Sequence, residues 1–164
     1  MPANEPLAVL ADIHGNAAAL KAVLAHAEAR GLARFVNLGD TFYGPLDPAG
    51  TWAVLQANPM PAVLGNQDRI LLDDAAPPTV RAVRDLLGPE PLAWLAGLPK
   101  TLLLEPDILL CHGTPKDDAA YLLEDVSTGL PAPRAPGDVL ADLMPEAAGC
   151  SLVLTGHSHH AGLA

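Results

Sequence analysis

The chain has 164 residues, half of them hydrophobic, which suffices for one domain with a real core. Nine basic against nineteen acidic residues leave a net charge of −10, so no extended nucleic-acid partner is expected unless bound cations reverse the field locally. Two cysteines, Cys111 and Cys150, allow one disulfide at most; with no basic-then-apolar leader and no bilayer-length apolar run, a thiol-reduced, cytoplasmic protein without a membrane partner is expected.

Residues 7–12 (LAVLAD) predict a short buried strand. A helix follows, with Leu20, Val23, Leu24 and Ala27 at helical spacing, Asn16 as N-cap and Gly31 as stop signal. Residues 34–40 (RFVNLGD) predict the next strand, so the chain opens β-α-β with a right-handed parallel crossover. Residues 47–57 predict a second helix with Pro48 near its start, and residues 61–66 a third strand. After an Ala-Pro-Pro break, two helices are expected over 79–88 and 91–97. Residues 101–113 hold two apolar runs joined by Pro106-Asp107, a hairpin pattern. Residues 114–137, rich in Pro, Gly and Asp, predict a long loop with one helical turn near 119–126. A short helix over 137–145 and a last strand over 151–159 complete the chain. Strands alternating with helices, then a hairpin, predict a single α/β domain with at least one mixed sheet.

Polar residues stand at the carboxyl ends of these strands: Asp12 and His14, then Asp40, Asn66, His112, and finally His157 and His159. Ligands of open α/β sheets sit there. Every one of these motifs carries a glycine, which permits sharp turns and close backbone approach. A lone histidine after a strand is ordinarily a hydrogen-bonded surface residue, and a lone aspartate before a turn is ordinarily turn chemistry. Seven such residues from five strand ends are not independent accidents. His26 falls on a helix face and His160 towards solvent, outside the set.

The set holds two carboxylates, four imidazoles and one amide. Without thiolates it is not a structural zinc site, and it is too rich in nitrogen for a calcium or magnesium cage. Mixed nitrogen and oxygen donors suit Mn, Fe, Zn or Co. Seven donors exceed one ion and suit two that share a carboxylate, with Asp40 on the central loop as the natural bridge. Two divalent ions against Asp12 and Asp40 leave a charge of about +2, or about +1 with a bridging hydroxide: an anion site in an acidic protein. Such a pair clamps the attacking and leaving oxygens of phosphoryl transfer and lowers the pKa of bound water towards about 7.

Asp12-Ile13-His14, Gly39-Asp40, Gly65-Asn66-Gln67-Asp68, His112-Gly113 and Gly156-His157-Ser158-His159 resemble, in order and spacing, the motifs of the calcineurin-like metallophosphoesterases. Tyr43-Gly44-Pro45, the WLAGLP at 94–99 and "HGTP … YL" resemble the small prokaryotic phosphodiesterase branch. The resemblance implies two mixed β-sheets packed as a sandwich flanked by helices, a four-layer αββα fold. It assigns one metal to Asp12, His14, Asp40 and His159, and a second to Asp40, Asn66, His112 and His157, with Mn favoured over Fe or Zn. It implies catalytic roles for Asp40, Asn66, Gln67 and His112, with a metal-bridging hydroxide attacking a small phosphorylated substrate.

Two departures shape the expected chemistry. Gln67 stands where many members carry a proton-donating histidine. An amide donates a hydrogen bond but no proton, and losing a general acid costs about 10²–10⁴-fold. Diesters, anhydrides and activated esters are therefore expected over alkyl monoesters, with Asp68 in a supporting role. The sequence also ends shortly after "GHSHH", so the usual C-terminal strands are expected to be missing and the shell around His157 and His159 to be weaker. A non-catalytic scaffold of the same fold and a nucleotide polyphosphate hydrolase are the rival readings; seven competent ligand positions favour an enzyme. Tyr43, Arg69 and Lys116 are candidate substrate contacts, Cys111 an inert core thiol. The helices within 73–97 are expected to form a cover or a dimer face, which leaves a homo-oligomer open.

Overall fold

A computed structural model describes residues 5–164. Strand β1 (Leu7–Leu10) leads through helix α1 (Ala17–Glu28) into β2 (Arg34–Asn37), and the two strands pair in parallel from Leu7 opposite Arg34 to Leu10 opposite Asn37. Asn16 caps α1: its side-chain oxygen accepts the Ala19 amide at 3.0 Å. The buried stripe of α1 is Ala17, Leu20, Leu24 and Ala27. Val23, expected on that stripe, is exposed, because it falls at the stripe's margin. Helix α2 (Pro48–Ala57) begins on an Asp47 cap that accepts the Gly50 amide at 2.8 Å, with Pro48 at the first helical position.

The third strand expected over 61–66 reduces to one parallel bridge, Ala62 opposite Asn37. Asn66 does not end a strand; it opens helix α3 (Asn66–Leu71), which is too short to show a periodic stripe in sequence. Helices α4 (Pro78–Leu87) and α5 (Pro89–Ala96) follow. Together the helices bury Leu20, Val54, Leu71, Val83 and Leu95 against the Leu10 and Phe35 face of the β1–β2 sheet. Phe42, fully buried, meets Trp52 and Trp94 edge-on with ring centroids 6.1 and 5.7 Å apart. It lies two residues past Asp40, so the aromatic core holds that loop. The 73–97 helices are thus core members rather than a cover.

Strands β3 (Thr101–Glu105) and β4 (Ile108–Cys111) form the expected hairpin through Pro106-Asp107. In the long connection the helical turn expected near 119–126 does not form; two-residue strands β5 (Glu124–Asp125) and β6 (Ala132–Pro133) pair there instead. Helix α6 (Pro136–Leu143) precedes β7 (Leu152–Leu154), which runs parallel to β4 and completes a mixed sheet in the order β3-β4-β7. This sheet packs against the other face of β1–β2 through Val36, Leu38, Val63 and Leu110, with Leu7, Leu102 and Ile108 beside them. The fold is therefore the expected mixed α/β class, with the mixed β3-β4-β7 sheet facing a β1–β2 sheet that is two-stranded and parallel rather than mixed, and with α1–α5 packed on the outer face of the latter. The last strand stops before Gly156, so strand alternation does not orient His157 and His159.

Candidate metal centre

The loops leaving β1 and β2 run side by side past the ends of their strands. The amides of Asp12, His14 and Gly15 donate to the carbonyls of Gly39, Asp40 and Thr41 at 3.1, 2.9 and 2.9 Å. The turn before α3 presses in from the other side. A Cβ on Gly39 would lie 2.6 Å from the Gly65 amide nitrogen, and one on Gly65 would collide with the Asp40 amide, so both positions require glycine. Asp68 locks this junction from beneath. Its fully buried carboxylate accepts the Thr41 amide at 2.9 Å, the Phe42 amide at 3.2 Å and the Gly65 amide at 3.4 Å. Burial pushes its pKa up to about 6 against the pull of these amide donors, which leaves it ionised at neutral pH.

All seven residues singled out from the sequence converge here. Two clusters form, Asp12 with His14 and His159, and Asp40 with His112 and His157; within each, the ligand atoms lie within 4.8 Å of one another. Asn66 joins the second, its Oδ1 3.0 Å from His112 Nε2. Asp40 stands between them, with Oδ2 3.8 Å from His14 Nε2 and 3.4 Å from His112 Nε2.

The same division of labour recurs at five of these groups. Asp12 Oδ2 accepts the His157 amide at 3.0 Å, while Asp12 Oδ1 is buried without a hydrogen-bond partner. Asp40 Oδ1 accepts the Gln67 amide at 2.8 Å, which leaves Oδ2 facing the cavity. His14 and His112 donate through Nδ1 to the carbonyls of Tyr43 and Leu38 at 2.8 and 2.7 Å, so each points an Nε2 lone pair inwards. His157 donates through Nε2 to the Ala119 carbonyl at 3.0 Å and turns Nδ1 inwards. Backbone partners of this kind fix ring orientation and tautomer in metal sites. The result is a set of acceptors aimed at one another, including the buried Asp12 Oδ1, which accepts no hydrogen bond although His159 Nε2 lies 3.2 Å away. That is costly unless a cation fills the space, and the residues present fit a pair of divalent ions.

Backbone strain falls at the same place. Among the described residues, the non-glycine residues with positive φ are Asp12, His14, Asp40, His157 and His159, at 53°, 49°, 52°, 71° and 57°. Such conformations cost of order 1 kcal/mol or more each and cluster at functional sites.

Electrostatics divides the imidazoles. Burial works against the charged form of His112, but the adjoining Asp40 and then Asp12 carboxylates outweigh it and raise its pKa. His157 is lowered by burial and then by its neighbour His112, which favours its neutral form. Cys111 is buried, and burial pushes its thiol up to about 11, which disfavours the reactive thiolate.

The cavity over the centre measures about 270 Å³ and is lined by the imidazoles of His14, His157 and His159 together with Asp40, Asn66, Gln67, Tyr121 and Ser158. A larger open groove of about 670 Å³ between α1 and α2 contains no histidine and no carboxylate cluster, so the chemistry belongs to the smaller one. The three candidate substrate contacts lie elsewhere. Tyr43 packs its ring on the helical core and offers only its carbonyl to His14. Arg69 is held by Asp118 in a bidentate pair at 2.7 and 2.8 Å. Lys116 donates to the Ala141 carbonyl at 2.8 Å. Tyr121 and Ser158 were not singled out as site residues; Tyr121 belongs to "HGTP … YL" and Ser158 to "GHSH", and lying within these two motifs was the one signal available.

Residues 6–164 match the family model of the calcineurin-like phosphoesterase superfamily domain. No curated protein sequence matches the chain. A crystal structure of a metallophosphoesterase from Sphaerobacter thermophilus is similar with a TM-score of 0.71 and 23% identity, over 93% of this chain and 60% of that one. A candidate diadenosine tetraphosphatase is similar with a TM-score of 0.61 and 21% identity, over 82% of this chain and 73% of that one. The chain thus spans about 60% of the length of the Sphaerobacter structure. With a family match over nearly its whole length and a mixed α/β fold shared with these structures, the chain belongs to the calcineurin-like phosphoesterase superfamily.

Proposed function

We propose that this chain is a two-metal phosphoester hydrolase that acts on small phosphodiesters, works in the cytoplasm and takes manganese by preference over iron or zinc. The observation that supports it is the convergence of two ligand clusters, with a buried Asp12 Oδ1 that accepts no hydrogen bond, beside a cavity lined by Asp40 and Asn66. When bound, a pair of divalent ions supplies positive charge for phosphoryl oxygens and a water acidified to a pKa near about 7. The protein's own groups do the rest. Asp40 spans both clusters, and the backbone bonds of His14, His112 and His157 hold the rings ready without reorganisation. The Gln67 side chain lines the cavity and offers a phosphoryl oxygen a hydrogen bond, but it delivers no proton to a departing alkoxide. The histidines that line the cavity are all occupied as ligands in this reading. A leaving group that departs as a stable anion is therefore preferred, which selects activated diesters and anhydrides over alkyl monoesters.

A second reading, hydrolysis of dinucleoside polyphosphates, draws on the likeness to a candidate diadenosine tetraphosphatase and on the same logic, since phosphate is a good leaving group. The test is a panel with manganese-loaded protein: an aryl phosphodiester, the matching aryl monoester and a dinucleoside polyphosphate. The diester is expected to turn over faster than the monoester. Equal or reversed rates remove the diester reading, and no turnover of any of them favours the scaffold.

A further inference from the structure

Tyr121 is the one residue of the cavity wall that is neither a candidate ligand nor a small or amide side chain. It belongs to a segment without regular structure, yet that segment is braced at both ends. Upstream, the buried Asp118 carboxylate takes both hydrogen bonds of the Arg69 guanidinium, which ties the segment to α3. Downstream, Arg134 donates to the carbonyls of Tyr121 and Leu122 at 2.9 and 3.2 Å and pairs with Asp142 at 2.7 Å. Between the two braces, the Ala119 carbonyl receives His157 Nε2 at 3.0 Å. The Tyr121 ring rests on the His157 ring with centroids 4.6 Å apart and planes tilted by 47°. A half-buried aromatic ring is thus fixed beside the phosphoryl seat before anything binds, the preorganisation that makes a stacking surface effective.

We propose that Tyr121 is a specificity-determining platform that stacks a planar aromatic substituent of the phosphoester, with the nucleobase of a nucleotide ester as its natural occupant. The proposal rests on the two-metal reading for the phosphate seat and adds the class of group carried by that phosphate. Every base presents a π-face, so the platform selects planarity rather than base identity.

The experiment compares two ligands that differ only in the base: adenosine 5′-monophosphate and ribose 5-phosphate, titrated calorimetrically into zinc-loaded protein. Wild type is expected to bind the nucleotide about 5- to 150-fold more tightly, the range expected of one base–aromatic stack. Tyr121→Ala is expected to bring that ratio close to unity, while Tyr121→Phe keeps it. A wild-type ratio near unity, or a ratio unmoved by Tyr121→Ala at equal metal content, overturns the platform. Saturation-transfer NMR on metal-free protein reads the base contact without the ions. Transfer to the adenine protons in wild type and not in Tyr121→Ala supports the platform, and transfer equal in both, or absent from both, overturns it. Failure of the protein to take up zinc contradicts the two-metal reading instead, and the NMR arm still decides the platform.

Discussion

The half of the centre built on Asp40, Asn66 and His112 is buried, with these residues 2%, 9% and 1% exposed. The half built on His14 and His159 opens to solvent, with side chains 30% and 59% exposed. The difference follows from what anchors each ligand. Asp40 sits on a loop held by Phe42 in the aromatic core and by Asp68 from beneath, and His112 leaves β4 directly with its ring bound to Leu38. His159 lies past the end of β7, and among the described residues the polar contacts of its imidazole are with Asp12 and His14, at 3.2 and 3.3 Å. Two ions seated in such a pair of half-sites would be held unequally: the buried one by rigid donors, the open one by a ring whose position is set by its own tail. The tail does have one brace, His160 Nδ1 to Glu124 Oε1 at 2.8 Å, outside the centre.

The comparison is broken most severely at the shared group. Asp40→Asn removes the charge that faces both halves; it is expected to abolish uptake of both ions and to lower diester hydrolysis by about 10³-fold or more. Metal analysis and initial rates check this, and one retained ion would show that Asp40 belongs to one half alone. Next, the halves should separate. His112→Ala empties a buried position and leaves the Leu38 carbonyl unpaired, so a loss of about 2–4 kcal/mol and a markedly lower Tm are expected, together with loss of the tightly held ion. His159→Ala is expected to leave Tm within about 1 °C and to release only the weaker ion. In a graded chelator titration followed by metal analysis, wild type should lose its ions in two steps, with the first step missing in His159→Ala.

A finer test uses the strained backbone. His159 has a φ of 57° and no buried packing, so His159→Gly is expected to stabilise the metal-free protein slightly, by up to about 1 kcal/mol, while weakening the open site. Denaturant unfolding in chelator reads that sign. The smallest effect concerns the brace behind Tyr121. Arg69 holds the Asp118 carboxyl below the usual carboxylate range. A carboxyl depressed in the folded state contributes stability that is present above its unfolded pKa of about 3.9 and is lost as pH falls through the folded value. Arg69→Gln should therefore destabilise the protein slightly at neutral pH and flatten the acid limb of its Tm profile below about pH 4.

How much of this was legible in the sequence depends on the scale of the signal. The β-α-β opening with its Asn16 cap, the second helix with Pro48 near its start and the 101–113 hairpin were readable, because each has a local cause in periodicity or turn chemistry. The convergence of the seven residues was readable because polar residues after apolar runs form a pattern of their own. Helix α3 was not, since six residues beginning at a buried Asn66 carry no stripe, and its start is set by packing of Gly65 against Asp40. Nor was the end of β7: the last strand was expected over 151–159, whereas it stops at Leu154 and the backbone turns left-handed at His157 and His159. The carbonyls that aim the rings, from Leu38, Tyr43 and Ala119, leave no mark on residue identity at all. Arg69 and Lys116 drew notice as cations near motif loops, but their charges are spent on Asp118 and the Ala141 carbonyl.

The central claim is that Asp40 joins two half-sites into one centre. Manganese-loaded protein examined by electron paramagnetic resonance tests it most directly, alongside metal analysis. Two ions roughly 3.5–4 Å apart and bridged by one carboxylate should give about two equivalents per chain and an exchange-coupled, multiline signal. A simple six-line spectrum from isolated ions, or saturation at about one equivalent, would contradict it.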